Sequence, residues 1–433
     1  MNLAQLLRLP PPKEGTPVRR VARSVRKALA LCHALESERG EVAGMRLAAE
    51  ILNLYQTFDG AGRKEFFAAL IADFSPNPVK IVEAAANYAE KSTQRNLAKL
   101  QKAVEPPRRE LFRRLNMAPG ATVQLVQMRR HLLGQLKAHP QWEPVSDDLA
   151  YLFTSWFNRG FLTLKRIDWR TSALVLEKLI EYEAVHAIQG WDDLRRRLAS
   201  DRRCYAFFHP AMPDEPVVFI EVALTRGMSD KVQPLLDPRS EVFDSRQADS
   251  AIFYSITNCQ DGLRGVAFGS LLIKQVVDDL QIEFPHLRKF ATLSPIPGFR
   301  DWLKANQAAI QADERYVGLF EALSDPHWAS NTTLGEVLRE QLIPLCAHYL
   351  VLAKTDGKPV DSVARFHLRN GARLERIDWM GDTSTTGMRR SAGLMVNYVY
   401  RLDELERNHE SYRQEGKVQA TYDIETLAKK ALA

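Results

Sequence analysis

The hydrophobic spacing changes period partway along the chain, and that change limits the fold more than any other feature. From about residue 16 to 137, apolar residues recur at three- and four-residue intervals, as in 21–35 (VARSVRKALALCHAL) and 44–55 (GMRLAAEILNLY). Such spacing draws one apolar stripe down a helix. Segments 93–104 and 122–136 continue it, broken by Pro106-Pro107 and the turn-like Ala118-Pro119-Gly120. No strand-like alternation competes, and no internal repeat is present. Beyond residue 203, short runs rich in β-branched and aromatic residues take over: 204–208 (CYAFF), 217–224, 251–257 and 289–293, then 373–380 and 393–402. A helix over 269–284 falls among them. The expected architecture is α+β, with an all-helical domain over 1–148 and an α/β domain over 149–433 around a central mixed sheet. Residues 139–147 read as the linker, with Ser146 and Asp147 placed to cap the next helix.

Composition narrows the function classes. A chain of 433 residues, 45% hydrophobic and 26% charged, buries a sizeable core without disulfide or metal staples. Cys32, Cys204, Cys259 and Cys346 lie far apart with no CxxC or Cys/His cluster, which argues against zinc and for a reducing compartment. No metal is expected. The longest apolar run, 342–353, contains Pro344 and His348 and falls short of the ~20 residues a bilayer span needs, so it reads as a buried helix. The N-terminal segment lacks the apolar core and cleavage site of a secretory signal, and cytoplasm is the expected location, with no membrane partner. A net charge of +6 favours anionic partners. The basic residues are mixed with acids and form no basic-aromatic stripe, so nucleic acid is not expected. A phosphorylated small molecule such as a nucleotide thioester fits better.

Three segments carry chemistry. The first, 261–270 (DGLRGVAFGS), follows the strand 251–257 and enters the helix 269–284. A glycine-rich strand-to-helix turn exposes backbone N–H groups that suit a pyrophosphate or thioester oxygen, and Arg264 can add a charge-assisted contact. The same turn serves packing as often as binding. Its Arg264, Ala267 and Gly269 meet the Q/R-x-x-G-x-G/A spacing that resembles the acyl-CoA turn of the GNAT superfamily, with Ala267 where the first glycine belongs. The second, 293–299 (LSPIPGF), holds Ser294 in a proline-rigid turn at a sheet end. The GxSxG surround of a nucleophile elbow is missing, and a serine here also serves simply to cap a turn. The third, 359–372, reads as a short helix over 362–370 capped by Asp361 or Ser362, with Gly371 at the left-handed C-terminal position. His367 lies beside its apolar row.

Together the stretches 202–225, 255–303 and 359–402, above all LSPIPGF and FHLRNGA, resemble the malonyl-CoA decarboxylase family. The resemblance implies a helical oligomerisation domain followed by a GNAT-like catalytic domain, and hence a homo-oligomer. It implies Ser294 and His367 as the catalytic pair. It implies malonyl-CoA binding along Arg264, Gly265, Val266, Ala267, Phe268, Gly269 and Ser270. The implied reaction turns malonyl-CoA into acetyl-CoA and CO2. Loss of CO2 leaves an enolate on the thioester carbonyl, so the substrate is its own electron sink and no cofactor is expected. The family description makes the serine a proton acceptor and the histidine a proton donor. An unperturbed imidazole, titrating near ~6.5, suits the donor role. A GNAT-type acyltransferase and a non-catalytic malonyl-CoA sensor are the competing readings.

Overall fold

The described residues of this computed structural model are 17–38, 40–266 and 272–432. Within them the helix-period half of the sequence folds as helices at Pro17–Ser37, Glu41–Gln56, Gly60–Asp73, Pro78–Glu90, Gln94–Val104, Pro107–Leu115, Ala121–Leu133 and Glu143–Trp156. Local chemistry sets their ends. The Asp59 side chain accepts the Gly62 N–H at 2.8 Å and Thr93 accepts that of Asn96. Pro78 and Pro107 open helices, where a missing N–H costs nothing. Ser146 and Asp147 do not cap the last helix but lie inside it. Pro144, pre-set for the first turn, starts that helix at Glu143, ahead of the serine.

These helices and the segment Gln260–Val266 form one of two units. Tyr55, Phe66, Phe67 and Phe112 fill its core. Arg108 and Arg109 converge on the buried carboxylate of Asp148, with Arg108 Nε at 2.5 Å. Removing either partner of such a buried pair strands a charge. The hairpin of Pro78–Glu90 and Gln94–Val104 buries no residue completely, and Val79 and Val82 on it are 74% and 69% exposed.

The second unit, from Arg159 to Cys259 and again beyond 266, carries the sheet. Its strands are β1 (Thr163–Ile167), β2 (Arg202–His209), β3 (Met212–Thr225), β4 (Ser250–Asn258), β5 (Lys289–Thr292), β6 (Ser294–Pro295), β9 (Arg373–Asp378) and β10 (Met395–Val399), with a separate ribbon of β7 (Lys354–Thr355) and β8 (Lys358–Pro359). The order is β1-β2-β3-β4-β5-β10-β6, with β9 also on β10. All pairs are antiparallel except β4 with β5, so the sheet is mixed as expected. Alternation assigns the faces. Cys204, Ala206 and Phe208 pack with Leu176 and Leu179 on one side, while Ile252, Ala291 and Met395 join a second cluster. No helix among the described residues is long and apolar enough to cross a membrane.

Candidate active site

The parallel pairing of β4 and β5 runs only from Ser250 opposite Lys289 to Phe253 opposite Thr292. Beyond it β4 continues to Asn258, while the chain leaving Thr292 stays with β10, on which Ala291 already faces Val399, so that Ser294 faces Val396 and Pro295 faces Met395 in the same antiparallel register. The two strands therefore part beside Ser294. A cavity of about 220 Å³ opens there, bounded by residues 256–258 on one side and 295–297 on the other. Pro295 and Pro297 stiffen the segment after Ser294. At Gly298 an added Cβ would stand 2.5 Å from the Tyr349 hydroxyl, so the turn is held by close contact as well as by proline.

His367 arrives on the helix Ser362–Arg369. Asp361 is the N-cap, accepting the Ala364 N–H at 2.8 Å, and its other oxygen takes the Tyr349 hydroxyl. The helix stops at Gly371, whose φ of +82° is open to glycine and strained for other residues. These two ends aim His367 at the sheet. Its Nε2 lies 2.9 Å from Ser294 Oγ, and its Nδ1 lies 2.7 Å from the Tyr400 hydroxyl. The ring stacks on Tyr398 with centroids 4.7 Å apart. Ser294 Oγ is 2.9 Å from Thr292 Oγ1, which also accepts the Tyr398 N–H. The Asn397 side chain locks the same corner by donating to the Thr292 carbonyl at 2.7 Å.

Tyr400, His367, Ser294 and Thr292 thus form one hydrogen-bonded chain. A neutral imidazole runs it in either direction. In one, Tyr400 donates to Nδ1, Nε2–H donates to Ser294 and Ser294 donates to Thr292. In the other, each donor becomes an acceptor. The serine can therefore present either a proton or a lone pair, depending on the tautomer.

Burial decides the charge. Desolvation drives the His367 pKa from 6.5 down to about 3 and pushes the Tyr400 phenol far above its usual value. The imidazole is neutral near pH 7, which corrects the expectation drawn from free histidine. The shift has a stability consequence. Between pH ~6.5 and ~3 the unfolded chain binds a proton at this histidine that the folded chain refuses, so this contribution is complete above pH ~6.5 and shrinks as pH falls. Between pH 6.5 and 5 the loss amounts to about 2 kcal/mol. Urea unfolding at pH 7.5 and pH 5 should give a smaller stability difference for His367→Gln than for the unsubstituted chain, and equal differences would refute the assignment.

The other expected residues fall elsewhere. Arg264, Gly265 and Val266 belong to the segment that packs in the helical unit; Ala267, Phe268, Gly269 and Ser270 lie outside the described residues. Gly265 has φ +80°, as a tight turn requires. Gly262 is pressed so closely on the helix Ala121–Leu133 that an added Cβ would stand 1.9 Å from the Val126 oxygen. Arg129 donates to the carbonyls of Gly262 and Arg264 at 2.7 and 2.9 Å. The Arg264 guanidinium itself is exposed and pairs with Asp261 at 3.0 Å. Tyr400, Thr292, Tyr398 and Asn397 were not singled out from sequence. The available signal was the Asn-Tyr-Val-Tyr run, which puts both tyrosines on one strand face. Among the described residues no group of three or more His, Cys, Asp or Glu is placed to hold a metal.

A mixed sheet with a buried serine–histidine pair beside a cavity where two strands part is an arrangement that can hold and move a proton. Residues 74–157 match the family model of the malonyl-CoA decarboxylase N-terminal domain and residues 160–433 that of the C-terminal domain. The mitochondrial malonyl-CoA decarboxylase of Rattus norvegicus is 36% identical over 404 residues, 85% of this chain and 82% of the relative. Crystal structures of malonyl-CoA decarboxylases from Rhodopseudomonas palustris and Cupriavidus metallidurans superpose with TM-scores of 0.89 and 0.74, at 45% and 35% identity. They cover 93% and 94% of this chain and 99% and 100% of their own. The chain belongs to the malonyl-CoA decarboxylase family, and with it to the carboxy-lyases.

Proposed function

We propose that the chain converts malonyl-CoA to acetyl-CoA and CO2, with Ser294 and His367 as the working pair. The observation that carries this reading is the buried 2.9 Å contact between Ser294 and His367 at the mouth of the strand gap. Orientation comes first. Ser294 donates to the malonyl carboxylate and turns it out of the enolate plane, where the C–C bond overlaps the thioester carbonyl. The apolar walls beside the serine, Pro295, Ile296 and Met395, suit the neutral CO2 that leaves. The bond's electron pair then passes to the enolate, and the α-carbon needs one proton.

His367, neutral at rest, takes up a proton from water when the anionic substrate is bound, and as imidazolium it gives Nε2–H to the α-carbon and returns to the neutral form, while the Tyr400 oxygen accepts from Nδ1–H. A nearby enolate favours imidazolium and raises the histidine pKa at the moment of transfer. Bulk water restores the proton consumed in each turnover. Tyr400 is a positioning residue, so Tyr400→Phe should lower kcat about tenfold, as loss of one hydrogen bond predicts. It should also move the pH–rate profile and leave KM in place, and a phenylalanine variant with an unaltered profile would rule the role out.

Residues 264–270 are proposed to bind malonyl-CoA, on the strength of the glycine turn and the family resemblance. The exposed apolar residues of the 78–104 hairpin support a homo-oligomer formed through the helical domain, with residues from 149 onward as the catalytic domain. A cytoplasmic location is part of the same reading. The decisive experiment is CO2 release from malonyl-CoA alone, with chelator present and no added cofactor. An acyltransferase would instead require an acceptor, and a sensor would bind malonyl-CoA without releasing CO2.

A further inference from the structure

The cavity in the strand gap is lined by a guanidinium, that of Arg390, which pairs with no carboxylate among the described residues. The short helix Thr385–Ser391 turns one face to that cavity, contributing Thr386, Gly387, Arg390 and Ser391, the spacing of a single helical face. Arg389 is not among the lining residues. The helix is fixed in place: an added Cβ on Gly387 would stand 2.5 Å from Asp382, and Ser384 caps the first turn by accepting the Gly387 N–H at 3.1 Å.

Arg390 makes no hydrogen bond or ion pair with any described residue. In the same unit Arg196, Arg197, Arg202 and Arg203 are all paired with carboxylates. The one acid among the described residues that line the cavity, Asp382, accepts from Gln233 Nε2 at 2.8 Å and from the Ser384 N–H at 2.9 Å, both at Oδ1, and makes no ion pair with Arg390. A second polar group also waits there. His186 is 91% buried by its 9% exposure, and its Nε2 has no partner among the described residues. Most buried polar atoms in native proteins are satisfied, so an orphan lining a cavity points to a polar ligand. The walls between these groups are apolar, Pro295 and Met395 among them.

We propose that Arg390 recognises the terminal carboxylate of the acyl group, so that the cavity selects carboxylated acyl thioesters over neutral ones. This rests on the reading given under Proposed function. A guanidinium offers a planar two-pronged donor that matches a carboxylate, and apolar walls strengthen the pairing. The charge it reads leaves as neutral CO2, so the contact belongs to the ground state and is lost in the acetyl product. Binding lost in this way appears in KM and does not lower kcat. His186 Nε2 is then free to accept an N–H from the thioester's amide arm.

The test compares the unsubstituted enzyme with Arg390→Gln and Arg390→Lys, at a position exposed enough to leave folding intact. Substrates are malonyl-CoA and malonyl-pantetheine, which lacks the phosphates, and acetyl-CoA serves as inhibitor. Arg390→Gln should raise KM about 10- to 100-fold for both malonyl substrates, the range for a lost charged hydrogen bond. Acetyl-CoA inhibition should be unaltered, and Arg390→Lys should recover part of the loss. If malonyl-CoA and acetyl-CoA weaken together while malonyl-pantetheine is unaffected, Arg390 meets a phosphate and the proposal fails. An unaltered KM, or a fall in kcat alone, overturns it as well. Calorimetric binding of malonyl-CoA and acetyl-CoA to both forms separates the two levels. If the unsubstituted chain releases no CO2, the decarboxylase reading fails, and the malonyl-specific loss of affinity still decides the role of Arg390.

Discussion

Ser294→Ala and His367→Asn should each lower kcat for malonyl-CoA by about 10²- to 10⁴-fold, the usual cost of losing a positioned acid–base group. The reason lies in the chain of contacts from Tyr400 through His367 and Ser294 to Thr292. Removing the Ser294 hydroxyl leaves Nε2 of His367 buried without that partner. Removing His367 leaves the serine bonded only to Thr292 among these groups, with no base or acid behind it. Groups that act as one unit are not additive, so the double variant should lose about as much as the worse single one. Stopped-flow or coupled measurement of CO2 release checks both statements. A single variant that retains near-full turnover, while circular dichroism and unfolding match the unsubstituted chain, removes that residue from the mechanism.

Gly371→Ala should destabilise the second unit by about 3–4 kcal/mol, combining a left-handed backbone penalty with a steric one. The backbone at Gly371 has φ +82°, and an added Cβ would stand 2.3 Å from the Leu405 carbonyl oxygen, which is backbone and cannot swing aside. Asn408 also donates to the Gly371 carbonyl at 3.2 Å, tying this turn to the helix Leu405–Glu415. The helix that carries His367 ends here, so relief of the clash shifts the imidazole relative to Ser294. A misplacement near 1 Å costs about 10² in rate, so turnover should fall further than the loss of folded protein explains. Urea midpoints and kcat on the folded fraction measure the two effects separately. A variant as stable as the unsubstituted chain would show that the neighbouring helix yields and that this corner is soft.

Much of the architecture was legible because it depends on local period. Three- and four-residue spacing gave helices through the first unit, and β-branched runs gave the strands at 202–209, 212–225 and 250–258. The Asp361 cap and the Gly371 stop were legible for the same reason, since each acts within one helical turn. Where two local signals competed, the residue nearer the first turn won: Pro144 began its helix before Ser146 could cap it. Tyr400 was not legible, because a tyrosine on a strand carries no mark of the histidine it will bond 33 positions away. The same holds for Arg129 and the glycine turn, 133 positions apart at Gly262.

By itself, then, the sequence determined which segments become helix or strand, which residue types stand at the turns, and the family resemblance that nominates Ser294 and His367. Only the tertiary structure decided that these two touch, through the pairing of residues 291–295 along β10 and the placement of the helix Ser362–Arg369. It also decided that the imidazole is neutral. Proton affinity depends on desolvation and partners, and both are set by residues distant in sequence that meet only when the sheet closes around the ring.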